Sequence, residues 1–161
     1  MLKRVLMAAA GVTMLLTLAG PSLAQTAGVV KERQDQMKAY FPTHMRDFIM
    51  VMRGESTDLS AMPAKVTAAV AAFRQISVMY PAGSGREANP DTRAKPEVWS
   101  QRAAFDAATQ KLVVETEKLG ELARANNLDG FKAQAAIVGQ ACGGCHGGPP
   151  KSGGQFRFEA P

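Results

Sequence analysis

The stretch that decides the fold is DGFKAQAAIVGQACGGCH, residues 129–146. Its apolar positions are Phe131, Ala135, Val138, Cys142 and Cys145, spaced 4-3-4-3. That spacing is one face of an α-helix, because residues three and four apart stack on the same side. Both cysteines of the chain therefore fall on the buried face, in line with the core positions.

Three more segments carry the same kind of stripe. From about Val29 to Arg53, Val30, Met37, Phe41, Met45, Phe48 and Met52 recur at helical spacing. Pro42 interrupts that run, and a proline inside a helix removes a hydrogen bond and bends the axis. A bend is expected near Phe41, and a stop at Gly54. From about Ser60, a plausible N-cap, to Tyr80, the stripe is Val66, Val70, Phe73 and then Ser77 or Tyr80. From Pro96 to about Ala125 it is Val98, Phe105, Ala108, Leu112, Leu119 and Leu122. Asn126-Asn127 closes that segment, and PAGSGREANPDTRAKP, residues 81–96, reads as a loop. No strand alternation or internal repeat is present. Four striped helices with mostly short connections imply an all-α, antiparallel four-helix bundle. The long 81–96 connection is the kind that covers something.

The chain opens MLKRVLMAAAGVTMLLTLAGPSLA. Lys3 and Arg4, an apolar run to about Ala19, and Ser22-Leu23-Ala24 read as a signal peptide over residues 1–24, cleaved after Ala24. The run is short for a membrane span of roughly 20 residues. Export to the periplasm is expected, with no membrane span in the mature chain. A domain over 25–146 and a Gly/Pro-rich tail over 147–161 follow. Removing Lys3 and Arg4 lowers the formal charge from +5 to +3. The charges are scattered, so no nucleic-acid role is expected. A mildly positive surface still steers acidic partners.

An oxidising compartment does not leave thiols idle. A disulfide between Cys142 and Cys145 is geometrically open, but it lacks a βαβ context and gives His146 no task. A zinc site is short of ligands, since His44 is the only other histidine. C-x-x-C-H is also the signature of covalent haem attachment. Two thiols on one side of a helix can form thioethers to one porphyrin edge, and the next residue supplies an axial imidazole. Ala133, Ala135, Ala136, Gly139 and Ala141 leave room beside that helix, or serve close helix packing. Covalent haem c is the favoured reading.

A signal peptide, four helices and C-x-x-C-H at the end of the last helix resemble the class II c-type cytochromes, cytochrome c′ and the low-spin cytochromes c-556. KERQDQM (31–37), YPAG (80–83), PEVW (96–99) and Phe105-Asp106 are similar to patterns of that family. The resemblance implies one haem c with its iron, thioethers at Cys142 and Cys145, and His146 as proximal ligand. It places Arg33 and Gln34 against the haem edge and propionates. It puts Met37 on the distal side, where low-spin members have a methionine ligand and cytochrome c′ has an apolar residue that blocks the site. Met37 is also a residue of the helix stripe, and a Met there commonly serves core packing.

Methionine with histidine favours electron transfer. The expectation is a periplasmic mono-haem electron carrier with His146 and Met37 as axial ligands, partnered by periplasmic redox proteins. The alternative is a five-coordinate, high-spin protein that binds NO or CO. One departure bears on the choice. The family's C-H-x-x-[F/Y]-R is broken here, with Pro150 where the arginine is expected, and Phe156-Arg157-Phe158 offers to restore Phe-Arg after an insertion. The displaced arginine weighs against gas chemistry. The tail itself reads as a disordered segment or as an arm that docks on a partner. His44 stands two turns beyond Met37 as a second candidate axial ligand or a plain surface histidine, and Trp99 and Phe105 read as core. Class II relatives pair through their first two helices, which leaves a homodimer open. No catalytic dyad or triad is present, so an enzyme is not expected.

Overall fold

Pro42 shapes the first helical rod without ending it. The computed structural model describes residues 23–147 and 153–158. Helix α1 spans Leu23–Tyr40, a π-helical turn spans Phe41–Met45, and α2 spans Arg46–Met52. Pro42 has no N–H for the carbonyl one turn back, and a widened turn absorbs the loss. The extra residue rotates the buried face. Tyr40 is buried and Phe41 is 59% exposed, the reverse of the expected stripe. Val51 is buried where Met52 was expected. Gly54, at φ 77°, ends the rod as predicted.

The second rod is shorter than its periodicity suggests. Helix α3 spans Met62–Arg74, with Pro63 in its first turn. Ser60 is not its cap; the Ser60 N–H donates to the Asp58 carboxylate in a turn before the helix. A 3-10 turn, Ser77–Met79, replaces the last helical turn. Arg102 holds that turn, donating to the Ser77 carbonyl (3.0 Å) and the Tyr80 carbonyl (2.9 Å) while pairing with Asp106.

The third segment also departs from one continuous helix. α4 spans Glu97–Ser100, the chain breaks at Gln101 (φ −117°, ψ 45°), and α5 spans Arg102–Arg124. α6 spans Leu128–His146, capped by the Asn127 side chain, which accepts from the Gly130 N–H (2.9 Å).

α5 packs between α3 and α6, and α6 packs on α2, giving the expected antiparallel bundle. Phe48, Phe73, Leu119, Phe131 and Val138 fill its centre. Phe48 and Phe131 meet edge to face at 6.0 Å, locking α2 to the start of α6. No strand forms among the described residues beyond one isolated bridge, Ala94 to Arg157. The signal-peptide expectation lies outside the described residues except at the start of α1.

Candidate functional site

The last turn of α6 carries Cys142, Cys145 and His146. Cys142 and Cys145 are half-buried free thiols that pack against the core, so no disulfide joins them. Burial, and then the neighbouring Cys145, push the Cys142 thiol up to about 11. Burial raises Cys145 as well. Among the described residues no group of three or more His, Cys, Asp or Glu can hold a metal ion, so the zinc reading lacks its ligands.

His146 is exposed, yet loss of hydration and then the positive charge of Arg157 lower its pKa. A neutral imidazole keeps its lone pair for a metal. The helix ends one residue later, where Gly147 takes φ 83° and its N–H closes on the Gly143 carbonyl (2.7 Å). A side chain there would collide with the Gly153 carbonyl of the returning tail.

Arg33 lies one helical turn before Met37. It is 2% exposed, so it is no solvated surface arginine. Its guanidinium donates from Nη1 to Ser84 Oγ (2.9 Å), and from Nη2 to the Ser84 carbonyl (2.7 Å) and Thr92 Oγ1 (2.7 Å). It stacks over Tyr80 at 4.5 Å and lies 5.7 Å from the Trp99 ring. Burial, the larger effect, lowers its pKa. Those three bonds pin both ends of the long loop. Two N–H donors of the five on the fork remain for another acceptor such as a propionate. Gln34 and Met37 are half-buried on the same helix, and Met37 packs against the core.

His44 does not join this group. Its ring packs beside Tyr40 (6.0 Å) and Phe73 (6.1 Å), against α3. Phe105 is core, as expected, while Trp99 is half-buried and donates its indole N–H to the Pro81 carbonyl (2.8 Å).

The tail corrects the sequence reading most. Residues 153–158 are no free arm. Phe156 is 3% exposed and meets Phe105 at 5.2 Å. Its N–H donates to the Cys145 carbonyl, and the Gln155 N–H to that of Gly144. This return brings Arg157 close enough to depress His146 and to act on Tyr80. The arginine lost from the C-H-x-x-[F/Y]-R position thus returns further along the chain, on the segment bonded to the C-x-x-C-H turn; Pro150 itself lies outside the described residues. Ser84 and Thr92 had no signal in the sequence, where they are ordinary loop hydroxyls.

The site fits a covalently held porphyrin. Two thiols lie on one side of α6, a neutral imidazole follows, and a Cβ added at Gly139, Gly143 or Gly144 would meet nothing within 4 Å. Tyr80, Trp99 and a partly free guanidinium stand in the same neighbourhood.

The family model described as Cytochrome C' matches residues 28–148. The cytochrome c′ of Rubrivivax gelatinosus is 38% identical over 64 residues, 40% of this chain and half the length of that relative. The cytochrome c′ of Alcaligenes xylosoxydans xylosoxydans is 29% identical over 125 residues, 76% of this chain and 93% of the relative. A carbon monoxide-bound variant of the Alcaligenes xylosoxidans protein superposes with a TM-score of 0.71 at 24% identity, covering 84% of this chain and 98% of that one. With the bundle, the C-x-x-C-H turn and the match over most of the chain in agreement, this protein belongs to the cytochrome c′ family, which carries covalent haem c with its iron.

Proposed function

We propose that this protein is a periplasmic, five-coordinate haem c protein that binds NO and CO. Cys142 and Cys145 form the thioethers, and His146 is the proximal ligand. Met37 is an apolar plug on the distal side. Haem c, held by Cys142, Cys145 and His146, would supply an iron able to bind a diatomic gas. The chain supplies the rest. α6 fixes the thiols in one line, the Gly143–Gly147 bond holds the turn that carries His146, and Arg33 holds the loop while offering its free N–H groups to a propionate.

The observation that carries this reading is the match of the cytochrome c′ family model over residues 28–148. The expected electron carrier rested on Met37 as an axial ligand, with the displaced family arginine as added weight, and the folded-back tail takes away only that added weight. The match to cytochrome c′, and a relative solved with carbon monoxide bound, support the same choice over the low-spin His/Met carrier. A signal-like N-terminus supports the periplasm. No helix among the described residues is long and apolar enough to cross a membrane.

Electron paramagnetic resonance of the ferric holoprotein tests the reading. A high-spin signal is expected both in the wild type and in Met37→Ala. A low-spin signal that Met37→Ala abolishes would restore methionine ligation.

A homodimer is also proposed. A groove of about 400 Å³ between α1 and α3 is lined by Val29, Gln36, Ala72 and Val78, and Val78 is 70% exposed. Val78→Lys should halve the sedimenting mass; an unchanged mass would place the contact elsewhere or show a monomer.

A further inference from the structure

The long loop and the returning tail meet in one basic face. The Lys95 N–H donates to the Phe156 carbonyl (3.0 Å), and the Phe158 N–H to that of Arg93 (2.9 Å). Lys95 Nζ donates to the Gly154 carbonyl (2.7 Å). These bonds gather Arg86, Arg93, Lys95 and Arg157 onto the loop–tail junction. Arg86 and Lys95 lie 5.4 and 5.7 Å from its centroid. None of the four cations is in an ion pair among the described residues. The loop carries two carboxylates nearby. Glu87 accepts from the Gly85 N–H, and Asp91 is exposed. Among the described residues of the loop and tail, four positive charges thus stand with two negative ones.

The face is also tied to the site. The tail that builds it donates from Gln155 and Phe156 to the carbonyls of Gly144 and Cys145, inside the C-x-x-C-H turn. A partner seated here stands against the haem-bearing turn. A basic cluster beside a site attracts and steers acidic partners to it.

We propose that the face formed by Arg86, Arg93, Lys95 and Arg157 is the docking surface for an acidic protein that exchanges one electron with the haem. An acidic one-electron carrier is oxidised and the iron reduced, or the reverse; no atom or proton moves. A membrane surface fits less well. Among the described residues the large exposed apolar side chains, Phe41, Val78, Val114 and Ile137, lie on helices and the 3-10 turn, and the ring in this face is Phe158, beside two cations. The proposal rests on the haem-bearing turn and not on gas binding, so carbon monoxide binding by the same variants separates the two.

Fluorescein-labelled poly-L-glutamate serves as the acidic probe on the holoprotein, at an ionic strength of about 10 mM where screening is weak. Arg86→Gln/Arg93→Gln should weaken its binding on the order of five- to tenfold, given the size of electrostatic steering. Lys111→Gln/Lys118→Gln, of equal charge change on α5, should leave it unchanged. Saturating polyglutamate should slow ferricyanide oxidation of the ferrous wild type. The proposal is overturned if both double variants bind alike, or if bound polyglutamate leaves the ferricyanide rate untouched. Binding to phosphatidylglycerol vesicles without binding to polyglutamate would overturn it too, in favour of a membrane.

Discussion

The α3–α5–α6 frame and the loop–tail cover are held by different forces. In the frame, apolar side chains at helical spacing bury one another, and no single contact is decisive. In the cover, residues 80–96 and 153–158 have little regular structure and hang on a few discrete anchors: Arg33 on Ser84 and Thr92, Lys95 on Gly154, Arg102 on Tyr80, and the single buried ring of Phe156 on Phe105. Distributed packing gives a fold that tolerates change. Discrete anchors give a cover that one substitution can release, and the cover carries the arginines that face the site.

The largest effect is expected in the frame. Phe131→Ala empties a fully buried position against Phe48 and should cost about 3–5 kcal/mol. Thermal melting should show one cooperative transition at a much lower temperature. A loss confined to one segment would contradict the distributed picture.

Arg33→Met keeps bulk but removes three buried hydrogen bonds, which should cost on the order of 3 kcal/mol. Here the loss should be local. Hydrogen exchange should accelerate across residues 81–96 while Leu112–Leu119 and Phe131–Val138 stay protected. Uniform acceleration would make Arg33 part of the frame.

Phe156→Ala should release the tail at a cost of about 2 kcal/mol, less than a bundle phenylalanine because the segment can open alone. Limited proteolysis should then cut between Gly147 and Phe158, with the helices intact. Resistance equal to the wild type would show that the backbone bonds to Gly144 and Cys145 suffice.

The smallest effect is acid-dependent. Hydrogen bonds from Ser77 and then Arg102 hold the Asp106 carboxyl below its ordinary value of 3.8. A lowered carboxyl pKa contributes stability that is present above 3.8 and lost as pH falls through the folded value. The 3-10 turn should therefore loosen in that acid range, and Asp106→Asn should flatten the response seen by exchange at Met79 and Tyr80. An identical acid profile would remove Asp106 from the anchor.

This contrast also explains what the sequence made legible. The stripe of Phe131, Ala135 and Val138, and that of Phe105, Leu112 and Leu119, reported burial directly because helix packing is periodic. Pro42 was visible, but the π turn that swaps Tyr40 for Phe41 was not, since a proline can be absorbed in several ways. The break at Gln101 and the early end of α3 at Arg74 depend on Arg102 reaching across to Ser77, a tertiary bond no local pattern encodes. The C-x-x-C-H turn was legible because its chemistry is local. Phe156-Arg157 was legible as a restored Phe-Arg, but its place was not, because the bonds of Gln155 and Phe156 to the Gly144 and Cys145 carbonyls decide it.

The central claim is that α6 carries a haem whose distal side Met37 leaves free of a ligand. The optical spectrum of the ferrous holoprotein before and after carbon monoxide tests it most directly. A high-spin spectrum that converts to the carbonyl form in native buffer is predicted. A sharp low-spin spectrum that carbon monoxide leaves unchanged would contradict it.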